Sequence, residues 1–262
     1  MKAPIRFLIG LTALASVVGL WQLASATGLF GRVPMSYAEL LLPGPGVVLQ
    51  ALCASAASGY LWDQLSVSLL RVAAGFGLSV AIGVPLGLAV ALSPVANALL
   101  DPFVRVFSPI PGVAWVPLAI LWFGLGDRAA IFIITVGSVF PVLVSTAQGV
   151  RAVDLNLVDA GRMLGARFHQ LLVRVFLPSI VPFLVTGARL GLGFAWRVVI
   201  AAEMVGVPRG IGSMLSVGRS TGHTEVTFMT IGILGALMIV AEELVFSPLE
   251  RHTNTWRPAG AR

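Results

Sequence analysis

The chain has 262 residues, of which 57% are hydrophobic and 11% are charged, and its mean hydropathy is +0.95. Soluble domains carry about 25% charged residues, so this composition excludes an ordinary soluble domain and predicts an all-α integral membrane protein. The net charge is +6, but the basic residues stand in short segments between apolar runs, which is typical of contact with membrane lipid and not with nucleic acid.

Apolar runs long enough to cross a bilayer recur along the chain. Between the first two runs, a Gly- and Pro-rich loop precedes a predicted amphipathic helix over residues 47–64. The stretch SPVANALLDP at 93–102 is predicted to be a turn. We therefore predict a single transmembrane domain over 1–262, with about six spans at residues 7–24, 66–92, 103–123, 129–150, 177–205 and 226–246.

The distribution of Lys and Arg predicts the orientation of these spans. Most basic residues fall on the side that holds the amino terminus, although Arg71 is assigned to the other side. By the positive-inside rule, both termini, the polar segment 151–176 and the tail 248–262 are cytoplasmic, and segment 26–65 is periplasmic. An alternative for the first span is a cleaved signal peptide, because a basic start precedes it and ASA at 24–26 fits a cleavage site.

The polar segment contains the most informative pattern, VDAGRMLGARFHQLLVRVFLP at 158–178. Gly165 allows a sharp turn between two short helices, and Pro178 suits the first turn of the next helix. The segment resembles the EAA motif of ABC importer permeases, with Asp in place of Glu and Gly in place of the second Ala. The residues in register with that motif are Asp159, Ala160, Gly161, Gly165, Val175, Leu177 and Pro178.

Four further stretches, at 68–93, 99–127, 140–150 and 187–206, resemble permeases for nitrate, taurine and aliphatic sulfonates. The resemblance implies a type I ABC importer permease fold and a homodimer in the inner membrane. It also implies that the coupling segment 151–176 docks on separate ATPase subunits, which hold ATP and Mg²⁺. The expected substrate is a small anion such as a sulfonate, taurine, nitrate or bicarbonate, delivered by a periplasmic or lipid-anchored binding protein. A thiamine-precursor pyrimidine or another small organic solute is the alternative.

The chain itself is not expected to be an enzyme or to hold a cofactor. Its single lysine is Lys2, so it has no P-loop, and it contains no HExxH. The single cysteine, Cys53, excludes an internal disulfide. A secondary transporter is the alternative from another class, but such proteins often contain an internal repeat, and the first half has no second DAGxxxG pattern.

Charged residues inside a span indicate either a pathway or a structural pair, because each costs about 3 kcal/mol at a helix centre. Arg189, Arg197 and Glu203 lie in the fifth span. Arg197 and Arg189 are candidates to line the pathway, or else they cap helices or pair with a neighbouring subunit. Glu203 is predicted to act in gating or structural pairing, and Trp115 is a further pathway candidate.

Glycines define two more expectations. Gly210 and Gly212 belong to a Gly-rich outer loop, which we predict to be a gate, a docking element for the binding protein, or a flexible linker. Four-residue spacing predicts close helix approach, either within one subunit or across a dimer, at the pairs Gly83 with Gly87 and Gly187 with Gly191.

Overall fold

The structure of the protein is a computed structural model that describes residues 3–27 and 41–249. All regular structure within these residues is helical, which confirms the all-α class. The predicted tail 248–262 and the Gly- and Pro-rich loop lie largely outside the described residues. In chain order the α-helices are α1 (Ala3–Thr27), α2 (Pro45–Ala57), α3 (Tyr60–Leu92), α4 (Pro94–Phe107), α5 (Val116–Phe123), α6 (Asp127–Arg151), α7 (Leu155–Met163), α8 (Phe168–Leu171), α9 (Leu177–Gly206), α10 (Ile211–Ser220) and α11 (Thr224–Ala241).

Four stretches of the described residues are long and apolar enough to cross a membrane. A fifth is added if α4 and the helix that follows it, bent by 93° from one another, count as one span. The first predicted span, 7–24, lies within the 25-residue helix α1. The four unbroken stretches are Tyr60–Leu92, Asp127–Arg151, Phe168–Gly206 and Thr224–Leu249.

The predicted turn at 93–102 is wrong, because this stretch begins helix α4. The Ser93 side chain accepts a hydrogen bond from the Ala96 amide at 3.2 Å and so caps the helix. Pro94 occupies the first turn, where its missing N–H leaves no hydrogen bond unmade. The prolines that suggested a turn are therefore compatible with a helix start.

The predicted third span, 103–123, is not one straight helix. Helix α4 ends at Phe107, a 3₁₀ turn follows at Gly112–Trp115, and α5 then begins. Pro109 and Pro111 have no N–H to donate to carbonyls four residues earlier, which favours a break in the helix here. The chain therefore breaks within an apolar stretch.

The helix predicted over 47–64 is also interrupted. Helix α2 ends at Ala57, and Gly59 adopts φ +79°, a left-handed conformation that ends helices and favours glycine. A new helix, α3, then starts at Tyr60, six residues before the predicted start of the second span. One predicted element is thus divided between two helices.

The chain forms two compact units, residues 1–66 with 209–235 and residues 67–208 with 236–262. In the larger unit α6 packs closely against its neighbours through glycines. A Cβ atom on Gly87 would lie 2.6 Å from the Leu143 carbonyl oxygen, and one on Gly187 would lie 2.7 Å from the Ser145 Cβ atom. The predicted close approach of these glycines is therefore made within one chain.

Candidate coupling segment and intramembrane charges

The coupling segment folds as two short helices around a sharp turn, as its sequence predicts. Asp154 caps α7 by accepting a hydrogen bond from the Asn156 amide at 2.9 Å. The turn lies at Gly165, whose φ of +77° is in the left-handed region. Helix α8 begins after Arg167, whose amide donates to the Gln170 side chain at 2.7 Å.

A small apolar core holds the segment against the ends of the spans. Val158 and Leu171 are almost fully buried together with Val150, Phe176 and neighbouring side chains. A Cβ atom on Gly161 would lie 2.6 Å from the Leu171 Cδ2 atom, so glycine at this position lets α7 and α8 meet. The sequence-based prediction gave Gly161 a role toward an ATPase surface, whereas its observed contact is within the segment.

The outer surface of the segment exposes large apolar side chains among its polar ones. Met163 and Leu164 at the turn are 88% and 87% exposed, and Phe168 is 64% exposed. Asp159 is exposed and forms a loose ion pair with Arg162, at 3.5 Å. Such clustered exposed apolar side chains are typical of an interaction surface. We call Met163, Leu164 and Phe168 the apolar tip.

The other motif residues lie around this tip. Ala160 is exposed beside Asp159 on α7. Leu177 packs against the small apolar core, and Pro178 is exposed in the first turn of α9. The motif therefore combines buried positions that fix the shape with exposed positions that are available to a partner.

An ion cluster joins Arg71 and Glu203, which are buried, with Asp127, which is 68% exposed, and the sequence analysis assigned Arg71 differently. Arg71 lies inside α3 with 5% of its side chain exposed, and not in an outer loop. Its guanidinium bonds Asp127 and Glu203, each at 2.7 Å. The Ser68 hydroxyl lies 2.8 Å from both carboxylate oxygens of Glu203. Glu203 is therefore paired, and its proposed part in gating stays a prediction.

Arg189 and Arg197 have different surroundings. Arg189 forms an ion pair with Glu242 of the same chain, and its Nε atom donates to that carboxylate at 3.0 Å. Arg197 is exposed, and its Cζ atom lies 5.6 Å from the centroid of the Phe194 ring. Among the residues that the structure describes, no carboxylate lies within ion-pair distance of Arg197. Arg197 is thus the intramembrane arginine that remains available to an anion.

Trp115 ends the 3₁₀ turn and packs against Phe107, with ring centroids 5.9 Å apart. Its indole N–H is buried and has no hydrogen-bond partner within residues 3–27 and 41–249. A role for Trp115 in the pathway stays a prediction.

The Gly-rich segment that was predicted to be an outer loop is a helix over Ile211–Ser220, so the prediction of a loop or flexible linker is wrong. Helix α10 follows Gly210, whose φ is +129° and whose amide donates to the Gln64 side chain at 2.6 Å. Gly212 is buried in its first turn. Ile211 and Met214 pack with Leu61 and Met229, and this apolar burial explains why a glycine-rich sequence stays helical. A part in gating or docking stays a prediction.

Residues 83–247 match the family described as binding-protein-dependent transport system inner membrane components. The chain belongs to this family. The permease is 34% identical to the taurine transport system permease protein TauC of Escherichia coli (strain K12), covering 83% of this chain and 80% of that protein. It is 35% identical to the putative aliphatic sulfonates transport permease protein SsuC of the same organism, covering 93% and 89%.

Among solved structures, the permease resembles a chain of the inward-facing MetNI methionine ABC transporter. The TM-score is 0.63 at 22% identity, and the alignment covers 74% of this chain and 95% of that one. This likeness confirms the predicted ABC importer permease fold. No group of three or more His, Cys, Asp or Glu side chains within the described residues could hold a metal ion.

Sequence reasoning missed Arg71 as the shared partner of Glu203 and Asp127. Asp127 lies 56 positions and Glu203 lies 132 positions after Arg71, so no local pattern joins the three residues. The signal that could have pointed to Arg71 was its position in an apolar run, where an arginine requires a counter-charge.

Proposed function

We propose that this permease is the membrane subunit of an ATP-driven importer for a small anion. In this proposal the coupling segment faces the cytoplasm, both termini are cytoplasmic, and the apolar tip docks on an ATPase subunit that binds ATP and Mg²⁺. Two copies of the chain form the pathway, and a soluble binding protein delivers the substrate. The observation that carries the proposal is the apolar tip, which a fixed turn presents outside the spans.

Docking of an ATPase subunit on the coupling segment links ATP hydrolysis to transport, because the segment is held in a fixed shape against the spans. The small apolar core fixes the two helices of the segment against the ends of the spans, so a displacement of the tip moves the spans with it. ATP-driven closure of the ATPase subunits then shifts the permease between inward-open and outward-open states. The chain holds and moves the substrate, and the ATPase subunits carry out the chemistry.

Arg197, which has no ion-pair partner among the described residues, favours an anion as the substrate. A guanidinium without a counter-charge in an apolar span is costly unless it faces water, protein or an anionic ligand. The named relatives are permeases for taurine and aliphatic sulfonates, which carry an anionic sulfonate group. A neutral pyrimidine would leave Arg197 without a counter-charge, so we place it second.

The proposal is tested by purifying the full-length tagged chain from membranes in which its own ATPase subunits and binding protein are present. We expect ATPase subunits to co-purify, and reconstituted vesicles to take up hexane-1-sulfonate when ATP and the binding protein are supplied. Uptake by the chain alone, driven by an ion gradient without ATP, would establish a secondary transporter and contradict the proposal.

A further inference from the structure

A cavity of about 550 Å³ lies beside the break that follows α4. One wall is the irregular stretch Ser108–Gly112, and the others come from α6 and α9. Its volume falls in the range of about 300–1,000 Å³ that is typical of small-molecule sites. Irregular backbone within a membrane-spanning part is tolerated where it is covered by protein or lines a water-filled space. A water-filled or ligand-filled cavity would therefore explain why a break in the helix is tolerated at this position.

Three polar side chains line this otherwise apolar cavity, namely Ser108, Ser145 and Gln148. None of the three side chains makes a hydrogen bond to another described residue. Ser145 is the most informative, because only 7% of the residue is exposed and it lines the cavity, while its hydroxyl makes no hydrogen bond to another described residue. Its donor is available to a molecule in the cavity.

Two other hydroxyls on α6 make a hydrogen bond to the backbone that Ser145 does not make. Ser138 donates to the carbonyl of Ile134 at 2.5 Å, and Thr146 donates to that of Val142 at 2.7 Å. This bond to the carbonyl four residues earlier is the usual way to satisfy a hydroxyl inside an apolar helix. Ser145 therefore differs from its neighbours in having an unused hydrogen bond.

Positive charge is available on α9, beside Phe194, which is one of the residues that line the cavity. Leu190 and Phe194 line the cavity, and Arg197 follows on the same helix face at the spacing of i, i+4 and i+7. The guanidinium of Arg197 stacks over the Phe194 ring. No acidic side chain is among the lining residues. The residues that line the cavity are thus uncharged, and the cation of Arg197 lies over the ring of Phe194, which is one of them.

We propose that this cavity is a binding site for an organic anion with an apolar body. The anionic oxygens accept hydrogen bonds from Ser108, Ser145 and Gln148, and Arg197 balances the charge. The apolar body lies against the Pro, Val, Leu and Phe side chains that form most of the lining. This lining selects an alkyl sulfonate over nitrate or bicarbonate, which have no apolar body. The inference rests on the proposed function in taking the ligand to be a transported anion.

The site is tested by calorimetric titration of hexane-1-sulfonate into the full-length permease in lipid nanodiscs, with its ATPase subunits bound. We expect Ser145→Ala and Gln148→Leu each to weaken binding about tenfold, because each removes one hydrogen bond to a charged group. Arg197→Gln is expected to weaken binding by a similar factor, and Arg197→Lys to restore most of it. Ser138→Ala is the matched control, since its hydroxyl is already satisfied, and it should leave the affinity unchanged.

Competition with nitrate and bicarbonate tests the ligand class. We expect each of these anions to displace hexane-1-sulfonate at concentrations at least about tenfold higher than pentane-1-sulfonate requires, because the apolar body contributes to binding. Equal or tighter binding of nitrate or bicarbonate would overturn the ligand class. Unchanged affinity in both Ser145→Ala and Gln148→Leu, or an equal loss in Ser138→Ala, would overturn the site.

ATP-dependent uptake separates failure of the site from failure of the proposed function. If uptake and ATPase association are intact in the wild type while the cavity variants bind hexane-1-sulfonate normally, the proposed site is wrong. The proposed function as an importer then still stands. If the wild-type chain neither retains ATPase subunits nor transports with ATP, the proposed function is wrong. In that case the titration is made on the permease alone in nanodiscs, and binding of hexane-1-sulfonate that the cavity variants still weaken would support the cavity as a site.

Discussion

The coupling segment and the ion cluster of Arg71, Asp127 and Glu203 belong to the same compact unit, but different kinds of information specify them. The coupling segment is shaped by near neighbours, with a capped helix, a left-handed glycine and a second short helix within 151–176. The ion cluster joins three helices that are far apart in sequence. A disturbance of the segment should therefore act on its interface, whereas a disturbance of the cluster should act on the stability of the whole unit.

The largest effect is expected from Arg71→Leu. Glu203 is fully buried, so loss of Arg71 leaves an uncompensated charge and should lower the free energy of unfolding by about 3–5 kcal/mol. The double variant Arg71→Leu with Glu203→Leu should recover most of this loss, because both buried charges are gone. Thermal unfolding in detergent, followed by circular dichroism, measures both. Equal melting temperatures for the single variant and the wild type would show that the cluster does not stabilise the unit.

The next largest loss of stability is expected from Gly87→Ala, which disturbs helix packing within the larger unit. A Cβ atom on Gly87 would meet the Leu143 carbonyl oxygen at 2.6 Å, so Gly87→Ala should cost about 1–3 kcal/mol through overpacking. Gly77→Ala is the matched control on the same helix, since a Cβ atom there meets nothing within 4 Å. That control should be neutral or slightly stabilising, because alanine favours helix more than glycine does. The same thermal measurement compares them, and equal destabilisation would contradict the observed packing.

Gly165→Val should disturb the coupling segment without disturbing the spans. The position has φ +77° and open space around it, so the cost is backbone strain of about 1–2 kcal/mol or more and not a clash. We expect a membrane-inserted protein that has lost ATPase co-purification and transport. Gly165→Asn is the control, because asparagine tolerates the left-handed region and should retain most activity. Wild-type transport by Gly165→Val would show that the shape of this turn is not required.

Asp159→Ala should have the smallest effect. Asp159 and its partner Arg162 are both exposed and 3.5 Å apart, and such surface pairs contribute at most about 1 kcal/mol. We expect transport to fall by less than about fivefold, measured as initial uptake rate in vesicles. A complete loss of transport would give Asp159 a direct role in the interface that its loose ion pair does not indicate.

Much of the fold was predictable because its determinants are local. Apolar runs located the spans, and a glycine with a proline located the turn and restart of the coupling segment. One error occurred where tertiary contacts decide, because apolar burial makes α10 a helix in spite of its glycines. Another came from a local signal that fits two structures, since Ser93 with Pro94 caps and starts a helix where a turn was predicted. The partners of Arg71, and the unused hydroxyl of Ser145, depend on distant helices and cannot be read from neighbouring residues.

The central claim is that the apolar tip of the coupling segment docks on an ATPase subunit. Leu164→Asp places a charge on this tip, at a side chain that is 87% exposed, and Val217→Asp places the same charge on an exposed position of α10. Quantitative co-purification of ATPase subunits with each full-length variant tests the claim most directly. The account predicts loss of ATPase subunits from Leu164→Asp and wild-type amounts with Val217→Asp. Wild-type amounts with Leu164→Asp would contradict it.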